Sequence, residues 1–189
     1  MQPIRTERTR ITLVRADDAD DLSAYYLRNA DHLVPWEPLR PDGYHTVAAW
    51  KDRARDFAAE ILKGFAYRYV VRLEGHREII AVANFTNVVR GAFLACHLGY
   101  SIDGRMQGRN IMFEVLDSLI PHMFDKYGLH RVMANYIAEN ARSGTLLQRL
   151  GFEVEGRARD YLKIQGQWRD HVLTARINDA GSAVSREDG

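Results

Sequence analysis

Between residues 101 and 111 the chain reads SIDGRMQGRNI: the end of an alternating stretch, then a basic turn, then a run whose apolar residues recur every three or four positions. A turn of this kind leaves backbone N–H groups unpaired at a helix start, where the aligned peptide dipoles favour negative charge. Arg105, Gln107, Gly108, Arg109 and Asn110 therefore form a cradle suited to a diphosphate. The turn lacks a GKS or GKT ending, so it offers no lysine for a γ-phosphate and no hydroxyl for magnesium, and no GxGxxG follows the first strand. Taken alone, the same residues read equally well as a solvated basic turn. The seven histidines lack the close spacing with carboxylates that metal ligands show, so no metal is expected. Cys96, the single cysteine, rules out an internal disulfide and lies mid-strand, where a thiol is usually a small apolar group.

The elements that must position this turn follow from hydrophobic period and breakers. Residues 10–15 alternate as a strand, and ADDADDLSAYYLRN opens a helix with acids. VPWEPLRPDGYH holds three of the five prolines and makes a shaped aromatic loop before a helix from about Thr46 to Lys63. Period two then governs residues 66–73, 78–88 and 93–102, an antiparallel meander that delivers the chain to the turn. After it comes a helix with Met112, Val115, Leu116, Leu119, Ile120, Met123 and Tyr127 on one face and an expected kink at Pro121. A strand over 131–137, a short helix ending at Gly151, and two strands joined near Gly166 complete the order β, α, α, βββ, α, β, α, ββ.

The whole chain sets bounds. Its 189 residues, 46% hydrophobic and 27% charged, fit one domain over 1–178, with the small, polar residues 179–189 expected to be a disordered tail. With 26 basic against 25 acidic residues there is no global field for strong nucleic-acid binding, and Lys51, Arg53 and Arg55 form only a local patch. The opening MQPIRTERTR has no apolar signal core, and no stretch reaches the roughly 18 apolar residues needed to span a bilayer, so a cytoplasmic protein without membrane contact is expected.

Read as a series, these segments resemble the GNAT acetyltransferase superfamily. More narrowly, VPWEP, LGYSI, QGRNIMFE, HRVMANYIAEN, RLGFE and DYLKIQGQWRDHVLTA resemble the ribosomal-protein-alanine N-acetyltransferases of the RimJ and RimL type, nearest to RimJ, over about residues 8–178. The resemblance implies an α+β fold: a mixed, mostly antiparallel seven-stranded sheet, flanked by about four helices and splayed between its fourth and fifth strands. Acetyl-CoA would fill the gap, its pantetheine arm pairing with backbone at Leu98, Gly99, Tyr100 and Ser101 and its diphosphate resting on amides from Gln107 to Ile111, with Asn140 bonding the arm from the other side. Two positions depart from the family pattern. Asn110 stands where the motif has Gly or Ala, and Leu147 replaces a tyrosine that many members use to protonate the departing thiolate.

The implied reaction is transfer of acetyl to the N-terminal α-amine of a protein, most of all an N-terminal Ala of a ribosomal protein, in a ternary complex. Another small amine as acceptor, or a noncatalytic acyl-CoA-binding assembly factor, are the rival readings. An α-amine has a pKa of about 7.7–8.0, so a proton must leave before attack. By resemblance the base is Asp160 and the thiolate is met by Ser143. From the residues alone, Asp160 is equally a salt-bridge partner of Arg157 or Arg159, and Ser143 a first-turn hydroxyl of its helix. Trp36 and Glu37, held between Pro35 and Pro38, are the expected wall for the acceptor's ammonium, with a core tryptophan as the alternative.

Overall fold

A computed structural model describes residues 2–178; the predicted tail of 179–189 lies outside them. The strands are β1 (Ile4–Arg5), β2 (Thr9–Leu13), β3 (Tyr67–Leu73), β4 (Ile79–Val89), β5 (Ala95–Ile102), β6 (Arg131–Met133), β7 (Tyr136–Ile137), β8 (Glu153–Ile164) and β9 (Gln167–Ile177). The helices are α1 (Ala19–Arg28), α2 (Ala30–Leu33), α3 (Val47–Lys63), α4 (Ile111–Tyr127) and α5 (Ala141–Arg149). One nine-stranded sheet runs β1-β2-β3-β4-β5-β6-β9-β7, with β8 paired to β9.

Nine strands stand where seven are expected, for two local reasons. The first strand is preceded by the short β1, which pairs Ile4 with Ile11. The stretch 131–137 is divided because Asn135 enters the ladder with its side chain: its Oδ1 accepts the Thr174 N–H at 3.2 Å, while the Ala134 N–H donates to the Thr174 carbonyl at 3.0 Å. The fifth helix is also local. Asn29 interrupts α1 at φ −103°, ψ 11°, and its buried amide donates back to the Tyr25 carbonyl at 2.9 Å. The helix over 111–127 continues through Pro121.

Apolar alternation covers both faces of the sheet. Tyr69, Val71, Ala83 and Phe85 pack with Leu116, Leu119, Ile120 and Met123 of α4, while Val70, Ile79 and Val82 face Leu22 and Tyr25 of α1 and Trp50 and Ala54 of α3. Cys96 is fully buried in the first cluster, and burial pushes its thiol up to about 12, which suits a packing role.

The splay is explicit in the pairing. β5 and β6 run parallel and pair only at Ala95–Arg131, Cys96–Val132 and His97–Met133. Beyond that point β7 pairs with β9, while among the described residues Leu98–Ile102 pair only with β4, on their other side. The second half of β5 therefore shows one unpaired edge in the middle of the sheet.

Candidate active site

The basic turn is built around Asp103, whose residue is fully buried at the end of β5. Its carboxylate accepts from the Arg105 N–H at 2.9 Å, from Arg105 Nε at 3.0 Å, from Arg28 Nε at 2.8 Å and from Asn29 Nδ2 at 3.3 Å. Burial by itself raises the Asp103 carboxyl, but these donors win and hold it well below the usual carboxylate range. Arg105 also donates to Glu78 at 2.7 Å, so two carboxylates share its guanidinium. A single 3-10 turn over Gly104–Met106 follows, and then two left-handed residues, Gly108 at φ 71° and Asn110 at φ 61°.

Residue 110 thus takes positive φ in this chain, and asparagine is among the L-residues that tolerate it best. Asn110 makes no side-chain cap on α4, so amides of the first turn have no intrahelical acceptor. From the outside, Glu114 anchors the N-terminal segment: it accepts from the Thr6 hydroxyl, the Arg8 N–H at 2.9 Å and Arg8 Nε at 2.7 Å, and Arg8 in turn donates to the Arg109 carbonyl at 3.0 Å.

Across the gap, α5 begins at Asn140, whose Oδ1 accepts the Ser143 N–H at 3.2 Å. Because Asn140 does the capping, the Ser143 hydroxyl is free for another task, and it meets the Tyr100 hydroxyl at 2.7 Å. That bond joins the open edge of β5 to α5. Burial pushes the Tyr100 phenol up to about 12, with the Ser143 bond working the other way. α5 can come this close because residue 144 is glycine: a Cβ there would lie 2.8 Å from the Tyr136 hydroxyl. Further along β5, Ser101 Oγ is 2.9 Å from the Tyr25 hydroxyl.

On the acceptor side, the Glu37 carbonyl accepts both the backbone N–H of Gln165 at 3.3 Å and its Nε2 at 3.1 Å, which docks the proline-rich loop on the β8–β9 turn. Trp36 is 40% exposed, so it is not a core tryptophan; Trp50 fills that place. Burial raises the half-buried Glu37 carboxyl, with Arg40 opposing, and after burial itself its charge is among the causes that raise the Tyr25 and Tyr26 phenols. Asp160 sits at a bulge of β8 with φ 48°, and its N–H donates to Asp170 Oδ1 at 2.9 Å. It is exposed, pairs with neither Arg157 nor Arg159, and no hydrogen bond joins it to Tyr100 or Ser143.

Tyr100 as a side chain, Tyr25, Asp103, Arg142 and Arg149 were not singled out by sequence. Only Asp103, next to a basic turn, carried a local signal. Among the described residues no group of three His, Cys, Asp or Glu side chains is placed to hold a metal, and no helix is long and apolar enough to cross a membrane.

Residues 8–153 match the family model described as an acetyltransferase (GNAT) domain. Over 172 residues the chain is 48% identical to the ribosomal protein uS5-alanine N-acetyltransferase of Escherichia coli strain K12, covering 91% of this chain and 89% of that one. It is 37% identical to the solved ribosomal-protein-S5-alanine acetyltransferase from Vibrio fischeri, at TM-score 0.91 over 95% of this chain and 98% of the other. Mycobacterium smegmatis RimJ in complex with CoA-disulfide is 29% identical, at TM-score 0.86 over 98% and 93%.

Proposed function

The chain belongs to the GNAT acetyltransferase family, and from that premise we propose that it moves acetyl from acetyl-CoA to the α-amine at the N-terminus of a ribosomal protein, with alanine as the first residue. The observation that carries this reading is the match at 48% identity, over nine-tenths of both chains, to an enzyme named for that reaction. The open edge of β5 supports the fit of the cosubstrate: Leu98–Ile102 have unpaired backbone on one side, as an extended amide-bearing arm requires, and the turn at 107–111 ends in free helix amides. A cytoplasmic location goes with this acceptor, where ribosomal proteins are made.

Acetyl-CoA supplies the thioester; this chain must take a proton from the acceptor's ammonium and return one to the departing thiolate. The Tyr100–Ser143 pair is suited to the second task, with Ser143 Oγ–H donating, the Tyr100 hydroxyl replacing that proton along the 2.7 Å bond, and a proton from solvent restoring the phenol, which burial keeps protonated. This takes over the role that Leu147 cannot fill. For the first task Asp160 and Glu37 are both candidates. Burial makes Glu37 the more basic of its kind, and the Tyr25 phenol that feels its charge is bonded to Ser101 on the open edge of β5. Glu37 is therefore the favoured base, and Trp36 and the proline-held loop orient the amine.

The test is mass spectrometry of peptides beginning Ala, Ser, Met or Glu, together with an Ala peptide blocked at its α-amine and carrying an internal Lys. A single acetyl on the free N-terminus of the Ala peptide supports the reading. Acetyl on the blocked peptide, or on none, removes it. The assembly-factor rival, which would need RNA contacts, gains little from the patch on α3: Arg55 pairs with Asp52 at 3.0 Å, and the Arg53 guanidinium lies between the rings of Tyr44 and Trp50, at 4.0 and 3.9 Å.

A further inference from the structure

A diphosphate needs positive charge beside it, and the basic position of the turn does not supply it. Arg105 is enclosed by Asp103 and Glu78. Arg8, which also touches the turn, is paired with Glu114. Arg109 stands in the turn itself, without a carboxylate partner among the described residues, and two further guanidiniums reach the turn from α5. Arg142 Nη1 donates to Gln107 Oε1 at 2.8 Å, and Arg149 Nη2 donates to Asn110 Oδ1 at 2.8 Å.

Neither of these arginines has a carboxylate partner among the described residues. An arginine held only by a neutral amide keeps its charge available, and its planar fork matches phosphate oxygens better than a single amide oxygen. The two are seven residues apart, two turns of helix, so they share one face of α5 and are separated by about 10 Å along its axis. Arg142 adjoins Ser143 and hence the reacting end. Arg149 lies at the far end, 4.5 Å over the Phe113 ring; the neighbouring cleft, which Phe113 and Asn110 help to line, holds Glu7, Glu114 and Asp117 beside Arg5 and Arg8, and those two arginines are already paired with Glu74 and Glu114, so Arg149 is the uncommitted cation at this end.

We propose that Arg142 is the cationic ligand of the cosubstrate's diphosphate and Arg149 that of its 3′-phosphate, each giving up its amide oxygen for a phosphate oxygen. The assignment rests on the acetyl-CoA reading above. Arg142 and Arg149 then carry the charge that the turn's own motif residue has lost to Asp103, and Gln107 and Asn110 hold the two side chains extended over the turn. The alternative, a clasp that merely fastens α5 to the turn, makes a different prediction, because a clasp does not distinguish one nucleotide from another.

Calorimetric titration of the full chain with CoA and with 3′-dephospho-CoA separates them. Wild type is expected to prefer CoA by about tenfold, the worth of one charge-assisted contact. Arg149→Gln brings the two affinities within about twofold of each other by weakening CoA alone. Arg142→Gln weakens both by about tenfold and keeps their ratio, while Arg55→Gln on exposed α3 leaves the ratio unchanged. A wild-type ratio near one, or a preference that survives Arg149→Gln, overturns the Arg149 assignment. Undiminished binding of dephospho-CoA to Arg142→Gln overturns the other. Thermal unfolding of the unliganded variants identifies loss through misfolding, and in that case Arg149→Lys must retain a CoA preference. If wild type binds neither nucleotide, the acetyl-CoA reading falls and takes this assignment with it.

Discussion

At the scale of single residues, charge that is legible in sequence is not charge that is available in the fold. Arg105 sits in the motif's basic position, yet Asp103, two residues earlier, and Glu78, on the far side of the sheet hairpin, take its donors. The reverse holds for Ser143: its place was readable from the motif, but its partner Tyr100 is 43 residues away and is brought to it only by the splay. Ser143→Ala is expected to lower kcat by about a hundredfold and Tyr100→Phe by about tenfold, with KM for acetyl-CoA within about twofold, the pattern of a lost proton donor. Steady-state kinetics on the Ala peptide checks both. The acid limb of kcat/KM should lie above the ordinary glutamate range, since Glu37 is raised by burial, and Glu37→Gln should remove that limb whereas Asp160→Asn leaves it. If Asp160→Asn abolishes the limb instead, Asp160 is the base. Asp103→Asn should cost about 1–3 kcal/mol, because two arginines lose their buried partner but keep Glu78. Since folding lowers the Asp103 pKa, the gap between wild type and variant in urea melts is full above the unfolded value of about 3.9 and shrinks as pH falls below it.

Elements were easier to read than their interruptions. The period-two meander, the long α4 and the helix after Asn140 follow from patterns that backbone geometry imposes over many residues. The split between β6 and β7 does not, because alternation cannot reveal that Asn135 substitutes its side chain for a backbone rung. The bulge at Asp160 escapes for a similar reason: a single left-handed residue leaves the hydrophobic pattern intact but changes which way a carboxylate faces. Gly144 shows how one element's position depends on one missing atom. Gly144→Ala forces α5 away from Tyr136, and a destabilisation of about 1–3 kcal/mol is expected, together with a fall in kcat as Ser143 leaves Tyr100. Adding Tyr136→Leu should recover stability; a denaturant double-mutant cycle with no coupling would refute the contact.

For the molecule as a whole, the architecture was legible because three layers and a mixed sheet are the solution to burying this order of amphipathic elements. What sequence could not give is how the ends are tied. Arg8 and Glu114 fasten the first strands to α4 beside the turn, and Asn29 ties the end of α1 to the same turn through the Gly104 N–H at 3.0 Å. Movement in any of these elements therefore reaches the amides of residues 107–111. Glu114→Gln, remote from the reacting hydroxyls, is expected to raise KM for acetyl-CoA several-fold while kcat stays near wild type, a split that initial-rate measurements resolve.

The gap beside β5 has a further consequence for the life of the chain. A sheet interrupted at its centre is a fold with one strand still to be supplied, and a ligand that pairs with Leu98–Ile102 finishes it. Binding only the folded form, at a hundred times its dissociation constant, such a ligand adds about 2.7 kcal/mol to stability. Saturating acetyl-CoA is therefore expected to raise the midpoint of unfolding and to slow limited proteolysis, and melts and digests with and without it check that the strand it supplies completes the sheet.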